Sequence, residues 1–279
     1  MDRSDATPAT PPEVVHHYGL YDESERLSDR GFGLLERLRT EQILERVIPP
    51  APGTVVDVGS GPGVYSTWLA LRGYDVHALD PVEHHIEQAL ARASDHGTQL
   101  ASATVGDARR LDLPSDSADA VLLMGPLYHL QNRSDRLLAL TEAHRVAKPG
   151  SIVAGAAISR FASALDGLAG AYLDDPKFRE VIFQALDTGR HTNPTGDPMY
   201  FTTAYFHRVE ELAREVADAG FASVEVLAVE SMAWLAGDLT ERLADPHRRR
   251  QLLELADRLS REPTLIGASP HLLAIGTAQ

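Results

Sequence analysis

The stretch that most limits what this chain can fold into is Val55-Val56-Asp57-Val58-Gly59-Ser60-Gly61-Pro62-Gly63. Thr54 to Val58 reads as a short buried strand, and Val64 to Arg72 reads as a helix closed by Gly73. Glycines between a strand and a helix let backbone approach a ligand without a Cβ clash. A dinucleotide fingerprint would need its third glycine at position 64, so that a pyrophosphate rests on the helix N-terminus. That position is Val64, and the glycines fall at 59, 61 and 63. Asp57 also precedes them, and a carboxylate aimed at the loop mouth suits a cation and repels a pyrophosphate.

The strand-loop-helix unit then repeats. Asp75 to Leu79 reads as a strand, Val82 to Ala93 as a helix, and Ala101 to Val105 and Ala118 to Met124 as strands. Ser134 to Ala147 reads as a helix stopped by Lys148-Pro149-Gly150, and Ser151 to Ile158 as the fifth strand. Later come a helix from Val209 to Ala219, a strand from Ser223 to Val229, helix over Leu239 to Ser260, and a last strand from His271 to Gly276. This alternation predicts an α/β fold with a doubly wound, seven-stranded, mostly parallel sheet. Residues 1–12 read as a disordered lead-in and 13–50 as an N-terminal helical lid. A ligand-binding core follows over 51–158, then a cap insertion after the fifth strand over 159–207. Residues 208–279 complete the sheet. Lid and cap are expected over the carboxyl ends of the strands, where open α/β sheets bind ligands.

Two further carboxylates sit at successive strand ends. Asp80, followed by Pro81, ends the second strand, where an acid can accept hydrogen bonds from ribose hydroxyls. Asp107, between Gly106 and Ala108, ends the third strand. Their bland readings are a helix N-cap and a turn residue, and Asp57 could simply cap the glycine turn. Three such acids around one glycine loop outweigh those readings.

On these residues the chain resembles class I S-adenosylmethionine-dependent methyltransferases, with their Rossmann-like fold. The resemblance covers roughly Thr54 to Ile158. It implies S-adenosylmethionine as cofactor, held by Asp57, Gly59, Ser60, Gly61 and Gly63 of the first motif. Asp80 and Pro81 would then meet the ribose, and Gly106, Asp107 and Ala108 the adenine. Met124 and Gly125 would lie beside the sulfonium, with Tyr18 closing over the cofactor from the lid. The Gly125 to Leu130 segment, Gly-Pro-Leu-Tyr-His-Leu, resembles a subgroup that includes actinobacterial natural-product enzymes.

Methyl transfer to an activated sulfonium asks the protein to align the acceptor and, where needed, to take its proton. His129 is the first candidate base, and Tyr21 of the lid a second catalytic candidate; a structural histidine and a surface tyrosine are the competing readings. Tyr128, Tyr200, Phe201, Tyr205, Phe206 and His207 are candidate walls for a flat apolar acceptor, or equally the contacts that fasten the insertion to the sheet. The acceptor is expected to be a small, aromatic, secondary-metabolite-type molecule, with O, N and C all open as the methylated atom and an indole-like carbon among them. A cofactor-binding protein without activity, and an RNA or protein methyltransferase, remain the alternatives.

Composition narrows the partners. The net charge of −14 opposes binding to a phosphate backbone, and the Asn/Asp-Pro-Pro-aromatic segment of base-methylating enzymes is absent after the fourth strand. No apolar run of about 18 residues points to a membrane span. With no cysteine there is neither a disulfide nor a thiolate metal site. His84 and His85 are adjacent on a helix and point apart, so no metal site is expected. A cytoplasmic location follows by default, and a homodimer stays open.

Overall fold

The computed structural model describes residues 18, 23, 26–27, 31–170, 172–193 and 200–279. The lead-in, most of the lid before residue 31 and Tyr21 lie outside them. Helix α1 (Gly31–Val47) precedes β1 (Thr54–Val58), α2 (Val64–Ala70), β2 (Asp75–Asp80), α3 (Glu83–Asp95), β3 (Ser102–Val105) and β4 (Ala118–Leu123). The one-turn α4 (Pro126–His129), α5 (Arg133–Val146) and the long β5 (Ala147–Ser159) follow.

The main sheet runs β3-β2-β1-β4-β5, continued by β9 (His271–Thr277) and β8 (Ala222–Ala228). Only β9 is antiparallel to its neighbours in that sheet, so the seven-stranded, mostly parallel expectation matches. β1 and β4 read as almost unbroken Val, Leu and Ala because both their faces are covered. Val56, Val58, Val121 and Leu123 pack toward Leu140 of α5 and Leu212 of α8 (Val209–Asp218). Val55 and Leu122 pack on the other face with Trp68, Leu69, Ile43 and Leu44. The chain leaves β1 toward β2 and β3, then returns to β4 on the opposite side. This reversal opens a crevice at the carboxyl ends of β1 and β4.

The cap contains α6 (Ala162–Ala169), α7 (Pro176–Thr188) and a short antiparallel pair, β6 (Arg190–His191) with β7 (Ala204–His207). The sequence reading placed no strand in this insertion. The pair forms because β7 continues the sheet edge, pairing Phe206 and His207 with Ile158 and Ser159 of β5. The helical stretch expected over Leu239 to Ser260 is present and divides into two helices, α9 (Leu239–Ala244) and α10 (Pro246–Leu259). Asp245 caps the second by accepting from the His247 and Arg248 amides at 2.9 and 2.8 Å, with Pro246 at its first position. Both pack on α1, whose buried Leu34 and Leu35 join Leu243, Leu252 and Ala256. Among the described residues, no helix is long and apolar enough to cross a membrane.

Candidate active site

The glycine loop turns sharply out of β1. The Gly59 and Ser60 amides both donate to the Leu79 carbonyl, at 2.7 and 3.1 Å, which fastens the loop to the end of β2. Gly59 and Gly63 have φ of 72° and 75°, and a Cβ at either would lie 2.6 Å from Pro126 Cδ or Ala89 Cβ. Those two glycines let α4 and α3 close on the loop. Gly61, at φ 53°, is different: a Cβ there would meet nothing within 4 Å. Its missing side chain leaves space in the crevice, which is the room a ligand needs.

Asp80 is almost fully buried at the crevice wall. One carboxylate oxygen accepts from the Gly61 amide at 2.9 Å, and the other from the Val82 amide at 2.9 Å and His85 Nδ1 at 3.0 Å. Its position is therefore set by the loop it faces. Asp107 accepts from the Arg109 amide and Nε, both at 2.9 Å. Burial pushes its carboxyl up, but the Arg109 hydrogen bonds and charge win and hold it below the usual range. Ser60, Gly61, Pro81, Ala108, Met124 and Gly125 complete this first cavity with Asp80 and Asp107. Gly106 allows close packing, since a Cβ there would sit 2.7 Å from Leu79 Cδ1.

Asp57 does not face this space. It is fully buried behind the loop, where it accepts from Ser66 Oγ of α2 at 2.6 Å. Burial, with Asp80 adding to it and the Ser66 hydroxyl opposing, lifts its carboxyl to about 6. The expected carboxylate at the loop mouth is instead a brace between β1 and α2. Strand alternation turns its side chain away from the crevice.

Tyr18 Oη lies 2.8 Å from His129 Nε2, and its ring meets His85 and His129 edge-on, with centroids 5.2 and 5.4 Å apart. Burial, reinforced by Tyr128 and Glu23, raises the Tyr18 hydroxyl well above its usual value. It therefore keeps its proton, and that proton can be donated to His129 in the tautomer whose Nε2 is bare. Tyr128 Oη donates to the Met124 carbonyl at 3.0 Å, and burial likewise raises its hydroxyl.

A second cavity, of about 600 Å³, opens between the cap, α1 and the start of β9. Tyr18, Arg26 and Tyr128 line both cavities and form the wall between them. Tyr200, Phe201 and Phe206 line this second space, as expected for acceptor walls, joined by Phe178 and Trp234. Tyr205 and His207 do not. On β7 they alternate with Ala204 and Phe206 and point to the opposite face. Tyr205 carries the Arg136 guanidinium 3.8 Å above its ring, and His207 bonds Glu215 at 3.3 Å. Burial resists ionisation of Glu215, yet Arg136 and His207 hold it at about 2. These residues anchor the cap to α5 and α8.

Several lining groups gave no sequence signal. Glu36 of α1 pairs with Arg26 at 2.5 Å, and Glu230 accepts from His271 Nδ1 at 2.6 Å. Burial opposes the His271 charge, but Glu36 and Glu230 outweigh it and lift the imidazole to about 9. Glu36, Glu230 and His271 bring potential metal-ligand atoms within 4.8 Å of one another, a convergence not expected from the sequence. The Glu230 carboxylate already accepts from the ring and the backbone amide of His271 and from the Ser269 hydroxyl, so the set stands as an ion-pair cluster. Of the adjacent histidines, His84 is exposed while His85 lines the first cavity.

Residues 56–155 match the family model described as "Methyltransferase domain". A ubiquinone/menaquinone biosynthesis C-methyltransferase of Caulobacter vibrioides is 30% identical over 132 residues, covering 44% of this chain and 51% of that protein. The methyltransferase GfsG of Streptomyces halstedii is 30% identical over 143 residues, covering 50% of this chain and 49% of its own. The chain thus spans about half the length of these relatives. A SAM-dependent methyltransferase structure from Thermotoga maritima superposes with a TM-score of 0.55 at 19% identity, covering 95% of this chain and 100% of that one. Residues 56–155 thus match a methyltransferase domain, and the chain carries the fold seen in S-adenosylmethionine-dependent methyltransferases. The first cavity fits this cofactor: Gly61 leaves its wall open, and two carboxylates face a cationic ligand without a phosphate.

Proposed function

We infer that the whole chain transfers the methyl group of S-adenosylmethionine to a small aromatic acceptor of the natural-product type. The observation that carries this reading is the common wall of Tyr18, Arg26 and Tyr128 between two cavities of different character. One is backbone-built and acid-rimmed, the other aromatic and of a size within the range of small-molecule sites, about 300–1,000 Å³. Donor and acceptor would meet at that wall.

The bound cofactor supplies an activated methyl group on a sulfonium. Asp80, fixed by Gly61, Val82 and His85, would receive the ribose hydroxyls, and the Asp107 region the adenine edge. Tyr18 retains its proton and directs it at His129 Nε2. Its oxygen keeps a lone pair for an acceptor O–H or N–H, so proton loss from the acceptor can run through Tyr18 to His129 without an ionised tyrosine accumulating. A carbon acceptor of indole type would use the same pair once its ring proton must leave. The acidic surface disfavours an RNA acceptor.

Purified chain incubated with S-adenosylmethionine and a panel of small aromatic hydroxyls, amines and indoles should release S-adenosylhomocysteine with at least one of them. Tight cofactor binding without turnover on any panel member, while RNA or protein is methylated, would overturn the small-molecule reading.

A further inference from the structure

The wall of the first cavity holds a buried polar atom that the chain leaves unpartnered. His85, in the first turn of α3, lines that cavity and is only 4% exposed. Its Nδ1 lies 3.0 Å from Asp80 Oδ1. An ionised carboxylate can only accept, so in the neutral ring the proton sits on Nδ1 and Nε2 is a bare acceptor. That Nε2 is buried and has no hydrogen-bond partner among the described residues. Tyr18, whose ring meets the His85 ring edge-on with centroids 5.2 Å apart, turns its hydroxyl to His129 Nε2 at 2.8 Å instead. Buried polar atoms without a partner are rare, because their lost hydration is not replaced.

Asp80 is short of room for a ribose by itself. An ionised carboxylate offers about four lone-pair sites. The Gly61 amide takes one on Oδ2 at 2.9 Å, while the Val82 amide at 2.9 Å and the His85 ring at 3.0 Å fill Oδ1. One site on Oδ2 is left, whereas a ribose presents two neighbouring hydroxyls. His85 Nε2 is a second acceptor on the same cavity wall. The adenine amino group is directed to the Asp107 region at the end of β3, which leaves the ribose as the donor beside Asp80.

We propose that two acceptors read the cofactor's ribose diol, one hydroxyl going to Asp80 Oδ2 and the other to His85 Nε2. His85 is then a cofactor-binding residue as well as a support for Asp80. This rests on the first cavity being the S-adenosylmethionine site. It makes the intact diol a requirement, since a cofactor lacking either hydroxyl leaves one buried acceptor unpaired.

Calorimetry with S-adenosylhomocysteine and its 2′-deoxy and 3′-deoxy forms tests it. On the wild-type chain each deoxy form should bind about tenfold more weakly than the parent. His85→Asn keeps an amide N–H near the place of Nδ1 but removes the Nε2 acceptor, whereas His85→Gln carries an amide oxygen out toward the Nε2 position. His85→Asn should lose about tenfold in affinity for the parent, and one of the two deoxy forms should then bind it as well as the parent does. His85→Gln should stay within about threefold of the wild-type chain. Deoxy forms that bind the wild-type chain as tightly as the parent overturn the proposal, and that comparison needs no variant to fold. So do an affinity unchanged in His85→Asn, penalties for both deoxy forms that persist there, or a larger loss in His85→Gln than in His85→Asn, which would leave His85 only a support for Asp80. Absence of S-adenosylhomocysteine binding to the wild-type chain would instead sink the methyltransferase reading beneath it.

Discussion

The two cavities are built in different ways. The first is made by backbone: a loop of three left-handed glycines, the carbonyl of Leu79 and strand-end carboxylates fixed by amides two to nineteen residues away. The second is made by side chains from α1, the cap, the Trp234 segment and β9, which come together from across the chain. Backbone construction gives a shape that one substitution can destroy. Side-chain construction gives a surface that can be retuned one residue at a time without disturbing the sheet.

Substitution at Gly63 should produce the largest effect. Gly63→Val places a branched side chain at positive φ against Ala89, and is expected to destabilise the fold by about 3 kcal/mol or more, read by chemical denaturation. Gly61→Ala should cost only about 1 kcal/mol of stability, because its Cβ enters open space. It should nonetheless weaken S-adenosylhomocysteine at least tenfold. Similar stability losses in the two variants would dissolve the distinction between packing glycines and a ligand-facing one.

Next in size are Tyr18 of the shared wall and its partner His129 on the first-cavity side. Tyr18→Phe and His129→Ala should each lower kcat about tenfold to a thousandfold while leaving cofactor affinity within about threefold. Parallel losses in kcat and cofactor affinity would assign both residues to cofactor binding.

The smallest effects come from buried titrations, and they carry opposite signs. His271 is raised to about 9, so its contribution to stability is complete below about 6.5 and fades as pH rises through 9. The melting temperature should fall over pH 7 to 10, and His271→Gln should flatten that slope. Asp57 is raised to about 6, so the folded state holds its proton more tightly than the unfolded chain does. Stability is lost as pH rises from about 4 to 6, and Asp57→Asn should gain roughly 1–3 kcal/mol above pH 6 while keeping the Ser66 bond.

The same contrast explains what the sequence disclosed. The glycine spacing and the acids at positions 80 and 107 lie within one stretch of alternating elements, so local pattern suffices to place them. Asp57 shows the limit of that reasoning: spacing put it at the loop, and only the alternation of β1 reveals that it turns away. Tyr205 and His207 failed for the same reason, although the period of two along β7 was available to separate them from Phe206. Glu36, Phe178 and Trp234 carry no local signature at all. They become neighbours only when the cap and α1 fold over β5 and β9, an arrangement set by tertiary packing.

The central claim is that the crevice at the ends of β1 and β4 holds S-adenosylmethionine through Asp80 and the open face of Gly61. Titration calorimetry with S-adenosylhomocysteine on the wild-type chain and Asp80→Ala, with NADH as control, tests it most directly. The account predicts micromolar binding to the wild-type chain, a loss of about tenfold to a hundredfold in Asp80→Ala with the fold retained, and no binding of NADH. Absence of S-adenosylhomocysteine binding, or unchanged affinity in Asp80→Ala, would contradict it.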